Sequence, residues 1–322
     1  MIMKKTKTYQ IRNWREYNTS LKKKGAITVW ASEDALTRWN APKDPGHMGR
    51  PFIYSDEAIK LLLMLQAVYK LPLRALEGFA QSIFNLMQLS LAIPSYTQIS
   101  RRARSLGQDV QVFTNHRVTD IVIDSSGLKV YGDGEWKVRT HGASKRRTWR
   151  KFHLIVDPHS HEIVMSALTK NDVGDSQVYD QLADQLPRTV KTSRGDGAYD
   201  NLRSYEASHR NNIQLVTPPQ KNAVIHENPP ECLNPRNDAC IKIASYGGDE
   251  DARKKWKREV NYHRRSLAET AMFRFKKTFG DKLSYRRMDA QKAELWAKSM
   301  VLNVMARLGM PKGQWVETCN TG

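Results

Sequence analysis

One acidic residue, Glu269, stands among cations and a tyrosine in the stretch YHRRSLAETAMFRFK, residues 262–276. A helix turns by about 100° per residue, so Tyr262, Arg265, Glu269 and Lys276 fall on one stripe roughly 60° wide. The opposite side of this predicted helix is apolar and carries Leu267, Ala268, Ala271, Met272 and Phe275. One face is therefore expected to pack, and the other to present a carboxylate among cations. The alternative is a solvated face on which Arg265 and Glu269 form an i,i+4 ion pair worth about 0.2–0.5 kcal/mol.

Two further carboxylates stand at positions where a ligand is expected. Asp124 follows the apolar run IVI (121–123), which is typical of a central, buried strand. A charge there is costly unless it is paired or bound to a metal. Asp196 stands between two glycines at a predicted strand end, where the missing side chains let a ligand approach the backbone. Alternatively, Asp124 bonds its own turn at a strand end and Asp196 is an ordinary turn residue.

Together these acids suit one kind of chemistry. Mg²⁺ and Mn²⁺ prefer oxygen ligands. Two such ions held about 3.5–4 Å apart stabilise both the attacking and the leaving oxygen of an in-line phosphoryl displacement. We therefore predict that Asp124, Asp196 and Glu269 are catalytic residues that bind two Mg²⁺ or Mn²⁺ ions, for hydrolysis or transesterification of a phosphodiester.

The elements that must position these acids follow a characteristic order. From about residue 117 the hydrophobic period becomes that of strands. The predicted elements are strands at 120–132, 151–157 and 161–170, a helix at 175–186, a strand at 192–199, a helix at 201–210 and a strand at 213–218. This is the order of an α/β, RNase H-like domain, in which helices flank a mixed sheet. In that topology Asp124 and Asp196 lie on neighbouring strands, and a later helix places Glu269 over them.

Composition indicates a folded protein that binds a polyanion. The 322 residues include 52 Lys and Arg against 33 Asp and Glu, a formal charge of +19, and 40% are hydrophobic, which is enough to fill real cores. Such an excess of cations favours nucleic acid, because neutralised phosphates release counterions. Three cysteines without metal-ligand spacing are read as reduced thiols, and no apolar run reaches 18 residues. We expect a cytoplasmic, nucleoid-associated protein without a membrane span.

The chain is predicted to have two parts. Residues 1–110 are expected to form an all-helical, helix-turn-helix-like region that binds DNA, and residues 111–322 the RNase H-like catalytic domain. Within the latter, Pro, Asn, Gly and charged residues interrupt the pattern at about 218–257, which indicates an insertion.

A third N-terminal helix is predicted from Ser95, after helices at 55–70 and 71–87. Its exposed side would offer Tyr96, Gln98, Arg101, Arg102 and Arg104. A helix-turn-helix-like unit would place such a helix in a major groove, with Gln and Arg reaching base edges and phosphates. The alternative is a three-helix scaffold with a solvated basic face.

A strongly basic loop lies between the first two predicted strands, in ASKRRTWRK (143–151). Arg146, Arg147 and Arg150 would clamp DNA beside the acids, and Trp149 would stack on a distorted base. The alternative is a solvated hairpin with Trp149 in the core.

Three motifs carry a resemblance to a known family. They read IDSSGLKVYGDGEWK (123–137), GDGAYD (195–200) and NYHRRSLAETAMFRFK (261–276). The chain resembles bacterial insertion-sequence transposases of the DDE class, most closely a subgroup of the IS-five family, and the spacing from Tyr262 to Lys276 matches their Y-(2)-R-(3)-E-(6)-K signature. Ser126 replaces the usual Thr, and Asp133 the usual Glu.

The resemblance implies an activity and its partners. Asp124, Asp196 and Glu269 would be the metal-binding triad, while Tyr262, Arg265 and Lys276 would hold the DNA strand end. The enzyme would bind the terminal inverted repeats of its element, cleave the ends and join the 3′ hydroxyls to target DNA, as a homodimer or higher oligomer. Two rivals are a catalytically dead DNA-binding regulator and a nuclease of the same fold that never joins strands.

Overall fold

The computed structural model describes residues 5–31, 33–42, 51–113, 117–130 and 149–319. The N-terminal third contains β1 (Lys5–Ile11), α1 (Trp14–Lys24), α2 (Ile27–Trp30), α3 (Glu33–Thr37), α4 (Asp56–Tyr69), α5 (Leu73–Leu86) and α6 (Tyr96–Ser105). The middle contains β2 (Val110–Val112), β3 (Asp120–Val130), β4 (Trp149–Val156), β5 (Ile163–Lys170), α7 (Asp175–Ala183), β6 (Thr192–Arg194), α8 (Leu202–Arg210) and β7 (Gln214–Val216). The remainder contains α9 (Asn234–Ser245), α10 (Glu250–Glu259), α11 (Ser266–Phe279), β8 (Lys282–Leu283), α12 (Met288–Leu308) and β9 (Gly313–Cys319).

The helices of the N-terminal region begin where their sequences provide caps. The Ser55 hydroxyl accepts a hydrogen bond from the Ala58 amide at 3.1 Å, and two acids follow in the first turn of α4. At α6, Ser95 and Gln98 form a reciprocal capping box. These starts agree with the predicted helices.

A mixed sheet forms the centre of the described structure. Its strand order is β2-β5-β4-β3-β6-β7, and β8 pairs with the end of β3. Strands β3, β4 and β5 are antiparallel neighbours, whereas β6 and β7 run parallel to β3. Three antiparallel strands followed by parallel strands reached through helices is the predicted RNase H-like arrangement, which is confirmed.

Residues alternate between the two faces of the sheet along β3. Ile121 and Ile123 pack in a core beneath α7 and α8, whereas Val122 and Leu128 pack in a second core beneath α11 and α12. Asp124 has the same parity as Val122 and lies directly opposite Leu154 of β4, which also belongs to the second core. The catalytic candidate on β3 therefore shares its face of the sheet with α11.

The long helix α12 belongs to two cores. Ala293, Ala297 and Val301 pack with the N-terminal helices, whereas Leu295 and Leu302 pack on the sheet. In addition, β1 and β9 pair as an antiparallel ribbon. The prediction that residues 1–110 are all helical is therefore wrong at β1, because this strand finds its hydrogen-bonding partner near the other end of the chain, where no local pattern shows it. The regions on either side of the predicted boundary near residue 110 therefore both pack against α12. That residue 110 is a domain boundary stays a prediction.

The predicted insertion contains two helices, α9 and α10, which pack against each other and on Val216 of β7. Apolar residues spaced four apart form their inner faces, Ala239 with Ile243 and Ala252 with Trp256. The high content of Pro, Asn and Gly concealed these short helices in the sequence. Within the described ranges, the structure contains no helix with both the length and the apolar character needed to span a bilayer.

Candidate active site

Asp124 lies in the middle of β3, and its side chain is 18% exposed. Strand β6 runs parallel beside β3, with Val122 opposite Arg194. Continuing this register by two residues brings Asp124 level with Asp196. The predicted neighbourhood of these two acids therefore follows from the strand pairing.

Asp196 begins a 3₁₀ turn, Gly197–Tyr199, directly after β6. Its carboxylate accepts a hydrogen bond from the Ala198 amide at 2.9 Å, and its carbonyl accepts one from the Thr217 hydroxyl at 2.6 Å. A Cβ atom at Gly195 would lie 2.6 Å from the ring of buried Tyr199, so glycine is required there by close packing. Gly195 thus serves the turn that holds the acid, whereas a Cβ atom at Gly197 would lie 3.9 Å from the Pro218 carbonyl oxygen, which is ordinary contact.

Glu269 projects from the first turn of α11, and its side chain is 53% exposed. The predicted continuous helix from residue 262 is wrong at its start, because Tyr262–Arg265 forms a 3₁₀ turn that precedes α11. The Ser266 hydroxyl donates to the His263 carbonyl at 2.8 Å, which is a local bond of the kind that competes with regular helix. Arg265 nevertheless forms the anticipated ion pair with Glu269.

The three acids influence one another electrostatically. Burial raises the pKa of Asp124, and the charges of Asp196 and Glu269 add to this effect, while Arg265 opposes it. Burial, reinforced by the same three carboxylates, raises the pKa of Tyr262 to about 12. These mutual effects indicate that the acids and Tyr262 surround one site.

A cation lies among these carboxylates. The Arg265 guanidinium is 3.8 Å from Asp124 and bonds Glu269, so it bridges the acid of the strand and the acid of the helix. Within the described ranges, no three Asp, Glu, His or Cys side chains converge closely enough to hold one metal ion. The donor types still fit Mg²⁺ or Mn²⁺, because all three are carboxylates.

Lys276 reaches the same face two turns further along α11. Its ammonium group donates to the Ser126 hydroxyl at 2.6 Å, so it connects α11 to β3 two residues beyond Asp124. Lys276, at the end of the predicted stripe, therefore contacts the same interior strand that carries Asp124.

The basic loop is described only at its end. Arg146 and Arg147 lie outside the described residues. The Trp149 side chain is 36% exposed, packs on Gly127 and lies 5.6 Å from the Lys129 ammonium, so it is neither free nor in the core. Arg150 donates to Gln291 of α12 at 3.1 Å. Any DNA contact of these residues stays a prediction.

The residues predicted to form the exposed basic face of α6 fall into two groups, those with partners inside the protein and those that are exposed. Arg102 donates to the Tyr54 carbonyl and to Asp56, and Gln98 caps its own helix, so both side chains have structural partners. Arg104 pairs with Asp289 of α12 at 3.2 Å while remaining 43% exposed. Arg101 is exposed. The outward stripe of α6 thus comprises Arg101 and Arg104, and its contact with DNA stays a prediction.

Sequence reasoning assigned no role to Asp200, the last residue of the GDGAYD motif. Its fully buried carboxylate accepts from Arg236 of α9 at 3.2 Å and from the Gln220 amide at 2.8 Å. Asp200 therefore ties the turn that carries Asp196 to the insertion. The sequence did contain a signal for this role, because Asp200 follows Asp196 by four residues in the same motif and is not needed for the triad.

A second polar cluster lies beside the acids. The Arg194 guanidinium donates to Asp120 at 2.9 Å, and His159 lies 3.5 Å from the same carboxylate. Arg264 reaches the His159 ring at 3.3 Å. The two adjacent arginines of YHRRS therefore point to different partners, Arg265 to the acids and Arg264 to His159.

Comparison with known proteins identifies the family of the chain. A family model described as "Transposase DDE domain" matches residues 117–304, and a second model with the same description matches residues 22–133. Among solved structures, the chain is similar to the piggyBac transposase in a synaptic complex with hairpin DNA, at a TM-score of 0.39 and 13% identity, covering 95% of this chain and 77% of that one. Because the first family model spans more than half of the chain, from β3 to the end of α12, the protein belongs to the DDE transposases.

Proposed function

We propose that this transposase binds the terminal inverted repeats of an insertion sequence, cleaves the element's ends and joins the freed 3′ hydroxyls to target DNA. The observation that supports this most directly is the pairing of β3, which carries Asp124, with β6, which ends two residues before Asp196, while α11 carries Glu269 over the same face of the sheet. Membership in the IS-five subgroup remains part of the proposal.

Asp124, Asp196 and Glu269 would hold two Mg²⁺ or Mn²⁺ ions. When bound, such ions activate the attacking oxygen and stabilise the charge that develops on the leaving oxygen. The protein contributes the geometry: the strand register fixes the two aspartates, and α11 carries the glutamate. Burial raises the pKa of Asp124, and the charges of Asp196 and Glu269 raise it further, as expected of a carboxylate held out of water beside other carboxylates.

Tyr262, Arg265 and Lys276 would hold the DNA strand next to the acids. They lie on the segment that carries Glu269, so a phosphate flanking the scissile bond would be positioned relative to the carboxylate by one rigid element. Lys276 has the Ser126 hydroxyl as its present partner, and a phosphate oxygen is a stronger acceptor for an ammonium group.

The insertion is a proposed extension of this DNA surface. The Lys257 ammonium lies 5.7 Å from the Tyr262 ring, so α10 adjoins the turn that leads into the site. Lys254 and Arg258 are exposed on the same helix. Phosphates repeat at a spacing of several ångströms along a strand, and these cations would meet the next ones after the scissile position. The α6 residues Arg101 and Arg104 would contact the repeat further away.

The chemistry requires two element ends to be held together, so we propose that the active form on DNA is a homodimer or a higher oligomer. Its place of action would be the nucleoid.

An end-cleavage assay tests the proposal. Purified protein is incubated with a labelled duplex bearing the element's end, supercoiled target DNA and Mg²⁺ or Mn²⁺. We expect wild type to cut at the element boundary and to yield joined products, Glu269→Gln to bind without cutting, and Glu206→Gln, at an exposed glutamate on α8, to behave as wild type. Cutting without joined products would favour a nuclease. Binding without cutting by wild type would favour a regulator.

A further inference from the structure

The position of Arg265 is incompatible with a metal ion shared by the acids around it. Its guanidinium lies 3.8 Å from Asp124 and is hydrogen-bonded to Glu269, and its side chain is only 19% exposed. It therefore fills the space between a strand carboxylate and a helix carboxylate.

Coordination distances show why this space cannot be shared. Mg²⁺ binds oxygen at about 2.0–2.1 Å, so two carboxylate oxygens on one ion lie within about 4 Å of each other. A guanidinium inserted between Asp124 and Glu269 keeps such oxygens apart and adds a positive charge beside the ion. Within the described part of the chain, the acids accordingly do not converge to a metal-binding distance.

Among the described residues, the Arg265 side chain forms ion pairs and hydrogen bonds only with these two carboxylates. Arg265 ends a 3₁₀ turn, and this turn follows Asn261, whose φ is 52°. Its neighbour Arg264 projects instead towards His159, 3.3 Å away. Rotation of the Arg265 side chain would break its pairs with the two carboxylates without opening the core under α11.

We propose that Arg265 is an exchangeable internal cation of this site: it holds Asp124 and Glu269 in the metal-free protein, leaves when divalent ions bind, and then becomes available to a DNA phosphate. The inference rests on the proposed function, because it assumes that the same acids hold the ions. Its consequence is that metal binding and DNA binding strengthen each other through one side chain, since the ions displace the guanidinium that the DNA then uses.

A metal titration without DNA tests the exchange. Mn²⁺ binding is measured by calorimetry and by electron paramagnetic resonance for wild type, Arg265→Ala and Arg265→Gln, with Arg264→Ala as the matched control. Arg265→Ala and Arg265→Gln are expected to bind Mn²⁺ about tenfold more tightly than wild type, because the ion no longer displaces a cation. Arg264→Ala removes the same charge one residue away and is expected to change the affinity by less than about twofold.

The outcomes separate the inference from the proposed function. Equal or weaker Mn²⁺ binding by both Arg265 variants, with wild type binding normally, overturns the exchange and leaves the metal site intact. An equal gain in Arg264→Ala also overturns it, because general charge then explains the effect. Failure of every protein to bind Mn²⁺ overturns both the exchange and the metal-dependent function.

DNA affinity gives a second readout. Addition of Ca²⁺ is expected to tighten binding of an element-end duplex by wild type several-fold more than binding by Arg265→Ala, because only wild type gains a released cation. An equal metal effect in both proteins would contradict the release of Arg265 to the DNA.

Discussion

Replacing Asp200 by Ala should destabilise the protein far more than replacing another aspartate that has the same kind of partners. The Asp200 carboxylate is fully buried and accepts hydrogen bonds from Arg236, the Gln220 amide and the Tyr205 hydroxyl, at 2.8–3.2 Å. The paired Arg236 side chain is itself only 14% exposed. Removal of the carboxylate therefore leaves the buried Tyr205 hydroxyl without its acceptor, and the mostly buried Arg236 cation with the Val224 carbonyl as its remaining partner.

The size of the effect follows from burial. Breaking a buried ion pair by removing one partner costs about 3–5 kcal/mol. Asp184 provides the matched comparison, because it accepts from Arg210 at 2.8 Å and from Asn211 at 2.9 Å but is 52% exposed. Exposed pairs contribute about 0–1 kcal/mol. We therefore expect the free energy of unfolding to fall by about 3–5 kcal/mol for Asp200→Ala and by less than about 1 kcal/mol for Asp184→Ala.

Urea-induced unfolding followed by circular dichroism measures both variants. Limited proteolysis adds a local readout, since loss of the Asp200–Arg236 pair should expose cleavage sites in α9 and α10 before global unfolding. A result in which Asp200→Ala is no less stable than Asp184→Ala, with an unchanged cleavage pattern, would refute the view that Asp200 fastens the insertion to the Asp196 turn.

Two further outcomes can be checked with purified protein. The double variant Lys254→Ala/Arg258→Ala should reduce the slope of log affinity against log salt concentration, measured with an element-end duplex, by about 2, because each lost phosphate contact removes about 0.9. The control variant Arg188→Ala/Lys191→Ala should leave this slope unchanged. Equal slopes for the two variants would exclude α10 from the DNA surface. Burial lowers the pKa of His153 to about 4 from 6.5. Between these two pH values only the unfolded state takes up a proton at His153. The contribution of this residue to the free energy of unfolding is therefore fully present above pH 6.5 and is lost as the pH falls towards 4. From pH 7.5 to 5 this should cost about 2 kcal/mol of unfolding free energy, and His153→Gln should show a correspondingly smaller loss in urea titrations.

The strand order and the neighbourhood of the acids could be predicted because they depend on local patterns. Asp124 interrupts an apolar strand, and Asp196 follows two residues after the end of the neighbouring strand, so the fold class alone places them near each other. The 3₁₀ turn before α11 could not be foreseen, because periodicity does not distinguish a 3₁₀ turn from the first turn of an α-helix. In the structure this turn follows Asn261, whose φ is 52°.

The expectation that Arg102 and Gln98 lie open on a helix face failed for a different reason. Both positions are polar, which favours exposure, yet Arg102 stacks 3.9 Å from Phe52 and bonds the start of α4. The partners of Arg102 lie some 50 residues away in the chain, and no local pattern contains them. The partner of Gln98 is Ser95, three residues before it, so the capping-box spacing in the sequence was the available signal for this side chain. The two helices of the insertion were concealed similarly, because their apolar residues are few and find their partners on β7 and on each other.

The double role of α12 has a consequence for how the chain folds. One side of this helix completes the core of the N-terminal helices, and another completes the core on the sheet. Its contacts with α4 and α6 join segments about 200 residues apart, which slows folding because long loops must close before these contacts form. During synthesis, α4, α5 and α6 emerge long before α12 and must keep an incomplete apolar surface until it arrives. Folding of the two regions is therefore expected to finish in one late, shared step.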